Sequence, residues 1–162
     1  MSYAFSLTGT NRAEPRAAIN PFTGGSEMLP TFAMNADERA AVQAVVRRHG
    51  GTFEAGEGDL VVAGARMHFE DFGGLRCAVS IEGAIESAIA VLFELAAAGR
   101  LVVLNEHESC DEPIPVVTTA EARAQAIASD VEDGDVELAT DVGRFLRVLL
   151  PGYDRVRGNG GA

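Results

Sequence analysis

Apolar residues are densest between residues 83 and 98, and their spacing predicts a helix at the centre of the fold. The main stripe recurs at helical intervals and comprises Ile85, Ile89, Leu92, Phe93 and Ala96. Val91 and Leu95 widen this stripe, which leaves a narrow polar face at Glu86, Ala90 and Glu94. A helix this apolar needs cover on two sides. We expect a sheet on one side and another helix or a second subunit on the other.

Three further helices are predicted at about 35–50, 119–128 and 140–151, from capping residues at their starts and, for the first and last, from Gly or Pro at their ends. Asn35 is the expected cap of the first, with Glu38 placed as in a capping box. Thr119 opens the second helix, which is rich in alanine, and Thr140 is the expected cap of the third. Gly99 is the expected stop of the apolar helix.

Residues 52–81 alternate between apolar and polar positions in short runs separated by glycines, which predicts an antiparallel β meander. Its strands are expected near Thr52–Ala55, Leu60–Ala63, Arg66–Glu70 and Leu75–Ile81. Further strands are expected at Tyr3–Leu7, Leu101–Leu104, Val116–Thr118 and Val136–Leu138. Between the first of these and the first helix, Pro21 and Pro30 exclude a helix, so we expect a loop through Asn20–Gly25.

Together these elements predict an α+β fold, in which an antiparallel β meander packs against two or three helices with the 83–98 helix at the centre. A length of 162 residues suits one domain, which we expect over residues 1–152, followed by a disordered tail at 153–162. The N-terminus lacks the basic and apolar regions of a secretory signal, and no apolar run is long enough to span a membrane. We therefore expect a cytoplasmic protein.

Charge changes this picture, because ten of the 24 acidic residues lie between Leu104 and Glu137, where Arg123 is the only basic residue. This segment therefore carries −9 of the net charge of −11. Such a field repels nucleic acid and anionic membranes, and it attracts basic surfaces. All 13 basic residues are arginine, so chemistry that depends on a lysine nucleophile is excluded.

The densest group of reactive side chains is the loop 105–112, which follows a predicted buried strand. His107 and Cys110 could bind a metal together with a carboxylate, but no CxxC pair or HExxH motif accompanies them. Neighbouring carboxylates also disfavour a thiolate at Cys110, so we assign no catalytic residue.

Other patterns point to structure rather than chemistry. The acidic turn at 130–137 lacks the ligand order of an EF-hand. His68 stands between Arg66 and Glu70 on the wet face of a predicted strand, and Cys77 shares a face with apolar residues. We therefore expect no metal and no cofactor.

The expected function is that of a non-enzymatic interaction protein, whose acidic face at residues 104–137 binds a basic protein partner. The residues assigned to this contact are Glu106, Glu108, Asp111, Glu112, Asp130, Glu132, Asp133 and Asp135. Small acidic bacterial proteins that neutralise toxins or basic nucleases use the same electrostatic logic, which favours an immunity or inhibitor role.

Two alternatives remain open: a small metal-dependent enzyme using the 105–112 loop, and a structural protein whose acidity serves only solubility. We also expect a homodimer, because the apolar helix has few other helices to cover it.

Overall fold

The computed structural model describes residues 2–9, 13–19, 23–31, 36–71, 77–106, 114–128 and 136–151. Within these residues the chain forms ten strands and four helices. The strands are β1 Ser2–Thr8, β2 Ala13–Ile19, β3 Ser26–Thr31, β4 Thr52–Glu54, β5 Glu57–Val62, β6 Ala65–Asp71, β7 Cys77–Gly83, β8 Val102–Asn105, β9 Val116–Val117 and β10 Glu137–Leu138. The helices are α1 Ala36–Arg48, α2 Ile85–Gly99, α3 Ala120–Ala128 and α4 Val142–Leu149.

Eight of the strands form one mixed sheet in the order β10-β9-β8-β1-β7-β6-β5-β4. Every pair in it is antiparallel except β9 and β10, which are parallel and are joined through α3. The predicted meander is therefore present as β4 to β7, and β1 joins it to the strands that follow α2. The α+β class is confirmed.

The main hydrophobic core lies between one face of this sheet and the helices α1, α2 and α4. Helix α2 is at its centre, with Leu92 and Ile89 fully buried. Helices α1 and α4 both contact α2, and the ring of Phe93 meets that of Phe145 on α4 edge to face at 5.4 Å between centroids. Helices of the same chain thus supply the second cover that the apolar pattern of α2 requires.

Helix α3 packs on the opposite face of the sheet, beneath β9 and β10. Successive residues of a strand point to opposite faces. Accordingly, Val116 belongs to the main core, whereas Val117 packs with Ala122 of α3 and with Val136 in a second, smaller core. The longest described helix has 15 residues, and none of the helices in the described ranges is long and apolar enough to cross a membrane.

The helix ends follow the predicted chemistry in part. Thr119 caps α3 as expected, because its Oγ1 accepts a hydrogen bond from the backbone N–H of Ala122 at 3.1 Å. The cap of α4 is Asp141 rather than Thr140, since its Oδ1 accepts from the N–H of Arg144 at 2.8 Å. Asn35, the expected cap of α1, lies outside the described residues.

The end of α2 also differs from the prediction. Gly99 is still helical, and it is Arg100 that adopts the left-handed conformation, with a φ of 53°. Glycine is needed at position 99 for packing instead, because a Cβ there would stand 2.9 Å from Cγ of the buried Leu101. The predicted end of α2 was therefore one residue too early.

The loop expected around Asn20–Gly25 is flanked by two unexpected strands, β2 and β3, which pair antiparallel as a separate two-stranded sheet. Each contains a proline, Pro15 in β2 and Pro30 in β3. A two-stranded sheet consists only of edge strands, where a missing N–H can be tolerated. The pairing register also shifts between Ala13 and Arg16, on either side of Pro15.

Candidate functional site

The first candidate region is the part of the sheet from which the acidic segments extend. Of the eight acidic residues predicted to bind a partner, the structure describes Glu106, which is exposed. Its backbone N–H donates to the carbonyl of Ala4 at 2.9 Å and so continues the pairing of β8 with β1. The other seven lie outside the described residues: Glu108, Asp111, Glu112, Asp130, Glu132, Asp133 and Asp135.

The described residues that flank these acidic stretches come together at one end of the sheet. Strand β8 ends at Asn105, and β9 starts antiparallel to it at Val116. Strand β10 runs parallel to β9, with Glu137 opposite Val116, and the N–H of Glu137 donates to the carbonyl of Pro115 at 2.9 Å. The stretches that connect β8 to β9 and α3 to β10 therefore attach at the same end of neighbouring strands. We call this end, flanked by Glu106, Ile114 and Val136, the acidic sheet end.

A buried asparagine fixes the base of the acidic sheet end. Asn105 is buried, and its Nδ2 donates to the carbonyl of Leu149 at 2.8 Å, which ties the end of β8 to the end of α4. Asn105 therefore has a structural role, although the sequence grouped it with the reactive loop.

Arginines from outside the acidic segment pair with two of its acids. Arg100 lies 3.4 Å from Glu121, and Arg144 pairs with Glu137 and also donates to the carbonyl of Leu138. Glu137 lies at the acidic sheet end, opposite Val116, whereas Glu121 opens α3 beyond the other end of β9. The sequence did not indicate that acids of this segment pair with arginines from outside it.

The second candidate region is the face of the meander that points away from the main core. Two tight turns fix how its strands are aligned. The turn Ala55-Gly56 joins β4 to β5, and Ala63-Gly64 joins β5 to β6, with positive φ at all four residues. Positive φ at both central positions is the requirement of a two-residue type I′ hairpin turn, which matches the twist of the paired strands. These turns set the register of all three strands.

That register aligns polar side chains in rows across the strands. One row places Glu54, Glu57 and Glu70 side by side on β4, β5 and β6. The next row places Asp59 opposite His68. Like charges directly opposite each other destabilise a sheet, so three carboxylates in one row represent a local cost. No arginine in the described ranges forms an ion pair with Glu54 or Glu57.

His68 lies between two carboxylates. Its Nδ1 is 2.9 Å from Oδ1 of Asp59, and its Nε2 is 3.3 Å from Oε1 of Glu70. The hydrogen bond with Asp59 raises the pKa of His68, and Glu70 adds to that rise, while partial burial opposes it. In the neutral ring one nitrogen carries no proton, so a lone pair would face a carboxylate oxygen. The geometry therefore favours a cation here, either a proton or a metal ion.

Three of these residues also meet the spacing of a metal-binding group. The ligand atoms of Glu57, His68 and Glu70 all lie within 4.8 Å of one another. Glu57 is exposed, and His68 and Glu70 are half-buried. We call Glu57, Asp59, His68 and Glu70 the His68 cluster.

The sequence correctly predicted His68 on the solvent-facing side of a strand, but it did not indicate the cluster. The alternation of β6 already puts His68 and Glu70 on one face. Glu57 and Asp59 were missed because Gly56 and Gly58 appeared to form a turn, whereas β5 begins at Glu57. Gly58 is a strand residue that leaves room for a neighbour, since a Cβ there would stand 2.5 Å from the ring of Phe53.

The remaining candidates are accounted for by packing or by local pairing. Cys77 is buried in the main core, as expected. His49 follows the end of α1, and its Nε2 lies 2.6 Å from Oε2 of Glu94 on α2. His107 and Cys110, the possible metal ligands of the 105–112 loop, lie outside the described residues.

The chain matches no protein-family model, no curated protein and no solved structure. Its function has to be argued from the acidic sheet end and the His68 cluster.

Proposed function

We propose that this chain is a non-enzymatic interaction protein that binds a basic protein partner at the acidic sheet end, in the manner of an immunity protein or inhibitor. One observation carries the proposal: the two acidic stretches, separated in sequence by α3, attach at the same end of neighbouring strands. Their charges thus add at one place on the molecule. A partner with a complementary basic patch would be steered to that place.

The anchoring of this end supports the proposal further. Asn105 and Glu106 are held by hydrogen bonds to Leu149 and Ala4, and Glu137 is held by Pro115. Charges carried on an anchored base lose less conformational freedom on binding than charges on a free chain. The base of the first stretch has two of these bonds, at Asn105 and Glu106, and the base of the second has one, at Glu137. We therefore assign the larger share of the lifetime of the complex to the stretch that follows Glu106, and mainly an effect on the encounter rate to the stretch 130–135.

The proposal also covers the oligomeric state and the cellular compartment. We propose a cytoplasmic protein that forms a homodimer. The dimer was predicted because few other helices were expected to cover α2. In the structure α1 and α4 cover it, so the dimer needs a test of its own. Sedimentation at high protein concentration provides it, and a sharply monomeric profile would remove the dimer without affecting the proposed partner.

The experiment uses a partner captured from the source cell and measures its binding kinetics at low and at physiological salt. Variant one changes Glu106, Glu108, Asp111 and Glu112 to Gln or Asn, and we expect slower association and faster dissociation. Variant two does the same for Asp130, Glu132, Asp133 and Asp135, and we expect mainly slower association. Raising the salt should weaken binding of the parent, because exposed charges are screened over about 8 Å at physiological ionic strength.

A matched control removes the same number of charges elsewhere on the chain, from Glu14, Glu27, Glu54 and Glu82, which lie on strands outside the segment. The control should retain the dissociation rate of the parent. Equal binding by the parent and by both segment variants at both salt concentrations would overturn the proposal and leave solubility as the role of the acidity. Equal weakening by all three variants would also overturn it, because the effect would then follow net charge alone.

A further inference from the structure

Asp59 and His68 form a pair that is common next to protein-bound metals. Their hydrogen bond joins Nδ1 of the ring to a carboxylate oxygen at 2.9 Å. A histidine that binds a metal usually donates its other ring N–H to a carboxylate or carbonyl, which fixes the tautomer and the ring orientation. With the proton on Nδ1, the lone pair of Nε2 is directed away from Asp59 and towards Glu70.

The contact between His68 and Glu70 has the spacing of two ligands rather than that of a short hydrogen bond. The distance from Nε2 to Oε1 of Glu70 is 3.3 Å, whereas good N–H···O bonds fall at about 2.7–3.2 Å. Zinc lies about 2.0–2.2 Å from its nitrogen and oxygen ligands, and tetrahedral geometry then separates two ligands by roughly 3.3 Å. These two atoms therefore already stand at the separation that such an ion requires.

Glu57 supplies the third ligand. It lies directly opposite Glu70, and its carboxylate is within 4.8 Å of both other ligand atoms. Because Glu57 is exposed, its carboxylate can reorient towards a bound ion. A bound cation would also offset the repulsion between the two glutamates, which no arginine offsets in the described part of the chain.

We propose that Glu57, His68 and Glu70 bind a divalent transition-metal ion, with Asp59 as the positioning residue that orients the His68 ring. The combination of one imidazole and two carboxylates suits zinc, and three protein ligands leave a fourth position open to solvent. This site is separate from the acidic sheet end, so metal binding and the proposed partner binding can be tested independently of each other.

The test is isothermal titration calorimetry of the full chain with zinc chloride, after treatment with a chelator. The parent should bind zinc, and His68→Gln or Glu70→Gln should weaken the apparent Kd at least tenfold. Asp59→Asn should weaken it by roughly 10–100-fold, the range typical of the carboxylate behind a metal-bound histidine. Circular dichroism and thermal unfolding establish that each variant is folded.

The matched control is Glu54→Gln. Glu54 lies in the same row, directly opposite Glu57, but is not one of the three ligands, so removing it lowers the charge without removing a ligand. It should weaken the Kd less than Glu57→Gln does, because it removes a neighbouring charge but no ligand. A second control, His107→Ala with Cys110→Ser, should leave the His68-dependent binding unchanged.

Three outcomes would overturn the proposal: no zinc binding by the parent, equal binding by the parent and His68→Gln, or loss of binding only in the His107/Cys110 variant. NMR of the imidazole nitrogens gives a second readout, because zinc should shift Nε2 of His68 more than Nδ1. If Glu54→Gln weakened binding as much as Glu57→Gln, the effect would be a general one of charge, and the three-residue site would be wrong.

Discussion

The acidic sheet end and the His68 cluster both concentrate carboxylates, but their charges are compensated in different ways. At the sheet end, Glu137 has an arginine partner, Arg144, which comes from outside the acidic segment. In the His68 cluster, the cationic group that pairs with Asp59 and Glu70 among the described residues is the imidazole itself, at 2.9 and 3.3 Å. Compensation is thus permanent in one region and conditional on a bound proton or metal in the other.

The difference suggests two kinds of ligand. The pair with Arg144 neutralises Glu137 at the sheet end, while the excess charge belongs to the acidic stretches in sequence on either side of β9 and α3, which suits a large basic surface. In the His68 cluster, the ligand atoms of Glu57, His68 and Glu70 instead lie within 4.8 Å of one another, which suits a single small cation.

Phe69→Ala should have the largest effect, because Phe69 is fully buried and lies between His68 and Glu70 on β6. Loss of its ring, which is 6.2 Å from that of Phe53, should lower the free energy of unfolding by about 3–5 kcal/mol. Urea denaturation measures this loss. Phe145→Ala, equally buried on α4, should cost a similar amount but leave the NMR resonances of the His68 ring in place. Unfolding energies within about 1 kcal/mol of the parent would contradict the packing described for both regions.

Asp141→Ala tests the cap of α4, the helix whose end is tied to the acidic sheet end through Asn105. It should lower the free energy of unfolding by about 0.5–2 kcal/mol, because an N–H of the first turn loses its acceptor. Thr140→Ala, one residue earlier, is the control and should have little effect in a thermal or urea melt. The reverse order of the two effects would restore Thr140 as the cap.

Glu57→Gln and Glu137→Gln should change stability in opposite directions in metal-free protein. The first relieves repulsion between directly opposed carboxylates and should raise the free energy of unfolding by about 0.2–1 kcal/mol. The second removes a surface ion pair with Arg144, whose side chain is 50% exposed, and should lower it by about 0.2–1 kcal/mol. Changes of the same sign in paired urea titrations would show that the two regions do not differ in charge compensation.

The smallest expected effect is in the titration of His68. Hydrogen bonding to Asp59 raises its pKa, so NMR of the ring should give a midpoint above the ordinary value of about 6.5 in metal-free protein. Because the folded-state pKa is the higher one, the stabilisation is complete below about pH 6.5 and is lost as the pH rises through the folded-state value. Asp59→Asn should lower the midpoint. A midpoint at or below 6.5 in the parent would mean that burial outweighs both carboxylates.

Elements with a strong internal period were predictable from sequence. The stripe of α2 and the alternation of β6 and β7 fixed which faces are buried, and Leu92, Met67 and Val79 lie in the core accordingly. Strands β2 and β3 were missed because Pro21 and Pro30 led us to expect a loop there, and local preference cannot show that two such segments pair with each other.

The candidate sites were predictable only where they depend on neighbouring residues in sequence. The excess of acid between 104 and 137 is visible in the composition, but its attachment at one end of the sheet depends on the parallel pairing of β9 with β10. The His68 cluster depends on register alone: shifting β5 by one residue against β6 would turn Glu57 and Asp59 to the other face. No spacing rule in the sequence links Glu57 with Glu70.

The two outermost strands of the large sheet bear on how the molecule avoids aggregation. As described, β4 contributes three residues and β10 only two, whereas β1, β6 and β7 each contribute seven. An exposed strand edge offers unpaired N–H and C=O groups on which another chain can build, and short, charged edges prevent this. The edge strands β4 and β10 carry Glu54 and Glu137, respectively. They lie outside the long strands and offer few backbone groups with which an incoming strand could pair. Growth of the large sheet by strand addition is thereby disfavoured, so copies of this chain should not extend that sheet from one molecule to the next.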